Sequence, residues 1–164
     1  MMRDHSLQLS LACVAAIVIV NGCGSGSTAM AGATFAIRPT VASVKSSSPI
    51  EFEITSEWLI DVTPSADRKV YVHFTDSKGE IKFKDEFDPD PVSSKWAKGK
   101  LKLKSRTVKI PEKLAGPFEI RMGTMDQNGI RDAVFGASDG ELRIRVGQIK
   151  VEGGKVVFED LGPK

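Results

Sequence analysis

Acid–base chemistry near neutral pH falls to an imidazole, and this chain of 164 residues holds two, His5 and His73. His73 lies between Val72 and Phe74 in an alternating run, so it faces away from its apolar neighbours. Downstream, Asp85, Glu86, Asp88 and Asp90 crowd together, with Pro89 and Pro91 interleaved. A hairpin turn centred on Lys78-Gly79 would set position 73 opposite roughly position 84, within reach of Asp85 or Glu86. The expectation is that one of these carboxylates pairs with His73 and raises its pKa. The same acids are hard oxygen ligands that would suit calcium. They lack the Asp-x-Asp-x-Asp-Gly spacing of a calcium loop, however, and the prolines fix an extended backbone. The stretch reads as a solvated connection, residues 126–129 read as a hairpin turn, and neither a metal nor a cofactor is expected.

Trp58 and Trp96 could stack on sugar rings, and Trp96, which follows the acidic stretch, is better placed to do so. Tryptophan in a small β-domain also belongs in the core. Lys95, Lys98, Lys100, Lys102, Lys104 and Arg106 fall mostly on alternate residues, so a strand would line them along one face. Such a ridge either meets anionic headgroups or acidic polysaccharide or blunts an edge strand against unwanted pairing. The candidate ligand-binding residues are His73, Trp96, Lys100 and Lys102. Catalysis is not expected. Ser-His-Asp chemistry would need His73 as base, and no Gly-x-Ser-x-Gly or comparable nucleophile setting is expected to present a serine. Zinc hydrolysis needs three ligands, commonly histidines. A carboxylate-pair glycosidase is the enzyme reading that counting leaves open. The net charge of +2 calls for neither nucleic acid nor a strongly acidic partner.

The elements that must position these residues have a period of two. Ile50, Phe52 and Ile54 alternate with glutamates; Val70, Val72 and Phe74 oppose Tyr71 and His73. Phe118, Ile120 and Met122 alternate with Glu119 and Arg121, and Leu142, Ile144 and Val146 with Arg143 and Arg145. Each pattern predicts a half-buried strand. Leu101 and Leu103 occupy odd positions but Val108 and Ile110 even ones, so the strand must slip by a residue, with a bulge near Ser105-Arg106. Gly and Asp clusters at 76–79, 126–129, 136–140 and 153–154 punctuate the strands. No segment carries a sustained helical stripe. The fold expected is all-β, a single antiparallel sandwich of seven to nine strands.

The N-terminus carries Arg3, an apolar run at 11–20 (LACVAAIVIV) and then Asn21-Gly22-Cys23. A membrane-spanning helix takes roughly 20 apolar residues, and this shorter run has the size of a signal-peptide core. It resembles a bacterial lipoprotein signal, in which cleavage before the cysteine is followed by lipidation, here at Cys23. Asn21 departs from the small or aliphatic residue usual there, and Val20 replaces the favoured leucine. Ordinary secretion, with cleavage after Ala29-Met30-Ala31, is the alternative. Removing residues 1–22 takes Arg3 with Asp4, so the charge stays at +2; His5 and Cys13 leave as well. The folded part then has no thiol for a disulfide, and His73 is its only imidazole. Gly24 rather than aspartate after the cysteine favours the outer membrane if the organism is Gram-negative.

Residues 58–124 carry a second pattern: Trp58, Val70-Tyr71-Val72-His73-Phe74, Asp76 and Gly79, Phe83, and the acidic stretch at 85–91. It continues through Ser94-Lys95-Trp96, Gly99, Ile110-Pro111 and Arg121-Met122-Gly123. This resembles an immunoglobulin-like β-sandwich of bacterial envelope proteins, sometimes appended to membrane glycosyltransferase-like chains. That family often has Asp-His where this chain has Glu86-Phe87. The resemblance implies a fold and no activity. The organisation expected is a signal peptide at 1–22, a lipidated cysteine and flexible tether at 23–33, a sandwich at 34–160 and a tail at 161–164. The function expected is a membrane-anchored, non-catalytic binding or interaction module of the envelope. Its partners would be membrane lipid through Cys23 and an envelope protein or polysaccharide. A structural accessory subunit of a larger envelope complex is the alternative.

Overall fold

A computed structural model describes residues 37–133 and 138–161; the expected signal peptide at 1–22, Cys23 and the whole of the expected tether at 23–33 lie outside them. Among the described residues nine strands run in chain order: β1 Ile37–Ser48, β2 Glu51–Ile60, β3 Lys69–Thr75, β4 Ile81–Phe87 and β5 Gly99–Lys102, then β6 Arg106–Lys109, β7 Phe118–Met125, β8 Ile144–Glu152 and β9 Lys155–Glu159. A 3-10 turn, Ser93–Lys95, interrupts the β4–β5 connection. Among the described residues there is no α-helix. The strands form two antiparallel sheets: β1-β2-β5, with β6 also paired to β2, and β4-β3-β7-β8-β9. The chain crosses between sheets after β2, β4 and β6.

The core lies between the sheets, where the apolar positions of each period-two pattern converge. Phe52, Ile54, Trp58 and Ile60 of β2 face Val70, Val72 and Phe74 of β3 and Phe118, Ile120 and Met122 of β7. Phe52 meets Phe74 edge-on across the gap, ring centroids 5.8 Å apart. Burying a side chain of this size contributes roughly 1.5–3 kcal/mol, so these residues fix the pairing of the two sheets. The slip expected near Ser105-Arg106 is present. Lys102 pairs with Glu57 and Arg106 with Ile54, so residues 103–105 stand opposite only Thr55 and Ser56. Leu101 and Val108 thereby both point inward.

The two flanks of the sandwich are clipped differently. At one, Arg106 of β6 makes a bidentate pair with Asp85 of β4, 3.0 Å at each contact, and its guanidinium lies 4.5 Å above the Phe87 ring. At the other, the Val156 N–H of β9 donates to the Ser46 hydroxyl of β1 at 2.8 Å. Register also defines the two ends. Ile37 pairs with Ile60 and Ser48 with Glu51, so β1 runs about 35 Å from the Ile37 end to a far end. The far end gathers the β1–β2 turn, the 76–80 turn, the 110–117 connection and the β8–β9 turn.

Candidate functional site

The structure does not bring the sequence-derived candidates together. Trp96 is 1 % exposed, its ring 5.6 Å from that of Trp58 and its indole N–H donating to the Pro91 carbonyl at 2.8 Å. With both faces covered it cannot act as a sugar platform, which corrects that expectation. Lys100 and Lys102 stand exposed on β5, at the free edge of the smaller sheet. The Lys100 ammonium lies 3.5 Å from Glu57. His73 is on the other sheet. Its acidic neighbours separate too: Asp85 and Glu86 belong to β4, on opposite faces, while Asp88 and Asp90 lie in the loop beyond.

His73 sits where the hairpin register was expected to put it, opposite Lys84 on β4 and Arg121 on β7. Its face of the sheet, read from sequence as half-exposed, is covered: Tyr71, His73 and Thr75 are at most 2 % exposed. The cover is the β7–β8 connection, described at 126–133 and 138–143. Tyr71 donates its hydroxyl proton to the Leu142 carbonyl at 2.8 Å. Arg121 reaches up from β7 to Asp139 at 2.6 Å, and Arg143 closes on the same carboxylate at 2.9 Å. Arg131 lies 5.5 Å above the Tyr71 ring, and Asp132 is tied to Arg68 at 3.1 Å. Gly123, opposite Tyr71 on β7, makes the arrangement possible, because a Cβ there would collide with the phenol.

Within this layer the imidazole stacks on Tyr71, ring centroids 4.7 Å apart. Its Nε2 is 3.7 Å from Glu86 Oε1, an ion-pair distance but beyond a hydrogen bond, and its Nδ1 is buried without a partner. Burial, then the Arg131 and Arg143 guanidiniums, push the His73 pKa down to about 4, and the Glu86 carboxylate only partly opposes them. The expected neighbour is present, but the expected sign is wrong: burial and two arginines from the covering connection outweigh one carboxylate. Burial also raises the Tyr71 phenol and the Asp132 carboxyl. Burial works against Asp139 as well, yet the backbone N–H and guanidinium of Arg143, with Arg121, hold it below the usual carboxylate range. At 2 % exposure the imidazole is closed off from solvent.

Residues 136–140 read Gly-Ala-Ser-Asp-Gly, a Gly-x-Ser-x-Gly spacing that the sequence reading did not credit. An elbow needs a strand-to-helix turn. Ser138 instead forms an isolated antiparallel bridge to Ile144 and is exposed, while His73 is buried. No group of His, Cys, Asp and Glu suited to a metal ion occurs among the described residues.

A recess lies at the far end of the sandwich. Pro49 and Ile50 of the β1–β2 turn, Leu114, Ala115 and Pro117 of the 110–117 connection, and Val151 of β8 line a groove of about 580 Å³, a size that admits a ligand or a few side chains. Ile50, Leu114 and Val151 are each about 40 % exposed. The polar groups at its margin are mutually satisfied: Lys150 pairs with Glu152 at 2.9 Å and Gln148 donates to Glu159 at 2.8 Å. Sequence reasoning missed this groove because its residues come from three separate turns and strands. No protein-family model, curated protein or solved structure matches the chain.

Proposed function

We propose that the chain is a lipoprotein of the bacterial envelope, tethered through Cys23, whose domain is a non-catalytic interaction module that receives an apolar segment of another envelope protein. The observation that carries this reading is the far-end groove. Its walls are apolar and its margin is charge-neutral, which suits uncharged side chains of a protein better than an acidic polysaccharide or a phosphate. The groove also lies about 35 Å along the sandwich from Ile37, the first described residue. An immunoglobulin-like topology is supported by the strand orders β1-β2-β5 and β4-β3-β7-β8 and by the crossings after β2, β4 and β6. Lys100 and Lys102 are assigned to guarding the open β5 edge.

The test uses the full chain in a bacterium, with a photo-crosslinking amino acid at Leu114 and, as control, at Lys102. The reading expects a discrete envelope-protein adduct from position 114 only, abolished by Val151→Asp. It also expects wild type to enter a detergent phase and Cys23→Ala to remain aqueous. Adducts equal at both positions, or Val151→Asp without effect, would overturn the groove. Equal partitioning of wild type and Cys23→Ala would overturn the anchor.

A further inference from the structure

The two sheets end on strands of different kinds. β1 and β9 lie together on one flank, where the Ser46 hydroxyl takes the Val156 N–H. On the other flank β5 and β6 present Lys100, Lys102, Arg106 and Lys109 and no acid, so a second copy would meet cation with cation. β4, the last strand of the larger sheet on that flank, differs. Its seven residues run Ile-Lys-Phe-Lys-Asp-Glu-Phe, and alternate N–H and C=O groups along it point away from β3 with no strand beyond. Phe83 and Phe87 turn toward the core. Lys84 and Glu86 stand on the opposite face, 2.8 Å from one another and both reached by solvent.

We propose that β4 pairs antiparallel with β4 of a second copy of this chain, about a two-fold axis through Asp85, joining two five-stranded sheets into one of ten strands. In this register Lys84 lies opposite Glu86 of the second copy and Glu86 opposite that copy's Lys84, with Cβ atoms about 5 Å apart. Each chain keeps its own Lys84–Glu86 pair. The four charges then alternate in sign around a square, and each gains a second opposite neighbour. Phe83 falls opposite Phe87 on the core side, and Lys82 opposite Asp88. Asp85 meets its own kind on the axis, but the bidentate Arg106 fork already neutralises it in each chain. Other arrangements fail on charge or on facing. A slip of one residue sets the outer face of one strand against the core face of the other. An axis at Lys84 or at Glu86 opposes like charges, and parallel pairing in register does so along the whole strand. The pattern therefore selects one partner and one register, and it uses no residue of the far-end groove.

The test expresses the full chain in a bacterium with a photo-crosslinking amino acid at Ile81 of β4 and, as control, at Val157 of β9. Position 81 should give an adduct of twice the chain mass that contains this chain alone, and position 157 should not. Lys84→Glu and Glu86→Lys each turn two cross-strand pairs from opposite to like charge, so each should lower the adduct about 30-fold. The double swap Lys84→Glu/Glu86→Lys restores opposition and should restore the adduct. Co-expression of the two single variants should restore it too, because an acidic edge then meets a basic one. Equal yields from wild type and the single variants, or a double swap as weak as either, overturn the proposal. An adduct at position 81 with a different protein also overturns it and assigns the edge to that protein. Should Glu86→Lys fail to fold beside the buried His73, Lys84→Glu is compared with Lys84→Gln. The reversal adds repulsion to the lost attraction and should lose several-fold more adduct; equal losses overturn the proposal.

Discussion

Gly123→Ala is the substitution whose effect the structure defines most sharply. A Cβ at position 123 would overlap the Tyr71 hydroxyl and its ring carbon, and it would also sit 3.0 Å from Tyr71 Cε2. The backbone at Gly123 is not in the left-handed region, so the cost is one of space rather than torsion. To admit the methyl, the phenol must leave its slot and give up the 2.8 Å bond to the Leu142 carbonyl. That bond contributes about 1 kcal/mol net, and overpacking a filled site adds roughly 1–3 kcal/mol, so Gly123→Ala should destabilise by about 3 kcal/mol. In a Tyr71→Ala background the methyl enters vacated space, and the lower unfolded-state entropy of alanine should make it neutral or stabilising by roughly 0.5 kcal/mol. Urea unfolding followed by the fluorescence of the buried Trp58 and Trp96 pair provides all four corners of the cycle. A Gly123→Ala penalty of the same size in both backgrounds would refute the argument, because the cost would then not come from Tyr71.

His73→Gln tests the linkage in global stability. A histidine held at about 4 in the fold against about 6.5 unfolded makes the unfolded state the better proton binder, so stability is full above the unfolded value and is lost as pH falls toward 4. Wild type should lose about 2 kcal/mol between pH 7.5 and pH 5 through this group, a loss absent from His73→Gln in denaturant titrations at the two pH values. Asp85→Asn breaks the bidentate clip to Arg106, whose side chain is 43 % exposed. The expected loss is about 1 kcal/mol at low salt, shrinking in 1 M salt by urea titration; a loss unchanged by salt would point to packing of Phe87 instead.

Much of the β architecture was legible because its signal is periodic and its burial one-sided. Alternation at Phe52 and Ile54, at Val70, Val72 and Phe74, and at Phe118, Ile120 and Met122 located β2, β3 and β7. The phase change after Leu103 located a bulge that the register reproduces. The strand β1 escaped notice for a physical reason. Its pairing slips between Val41 and Ser43 and again between Ser46 and Ser48, so its apolar residues never hold one parity for long. Ile50 was read as a strand residue, but it sits in the β1–β2 turn and feeds the far-end groove; Leu142 likewise lies before β8, with a positive φ of 58°.

The layer over His73 was illegible from local pattern because it is tertiary. Alternation says that Tyr71 and His73 share a face, but what that face meets depends on a connection that leaves β7 at Met125 and returns at Ile144. That connection carries Arg131, Asp132, Asp139 and Arg143, charges that read as a solvated loop in one dimension. Folded back, they supply ion-pair partners to Arg68 and Arg121 and a guanidinium over the Tyr71 ring. The clue available in the sequence was an imbalance. Arg121, Arg143 and Arg145 lie in or beside strands whose neighbours bury aromatic surface, and an arginine so placed needs a carboxylate. Glu119 and Asp139 are those carboxylates. Pairing His73 with a hairpin carboxylate followed the nearest charge in sequence, whereas the charges that decide its state arrive from about sixty to seventy residues downstream. Proximity within a hairpin therefore predicted the contact with Glu86, and the covering segment determined its consequence.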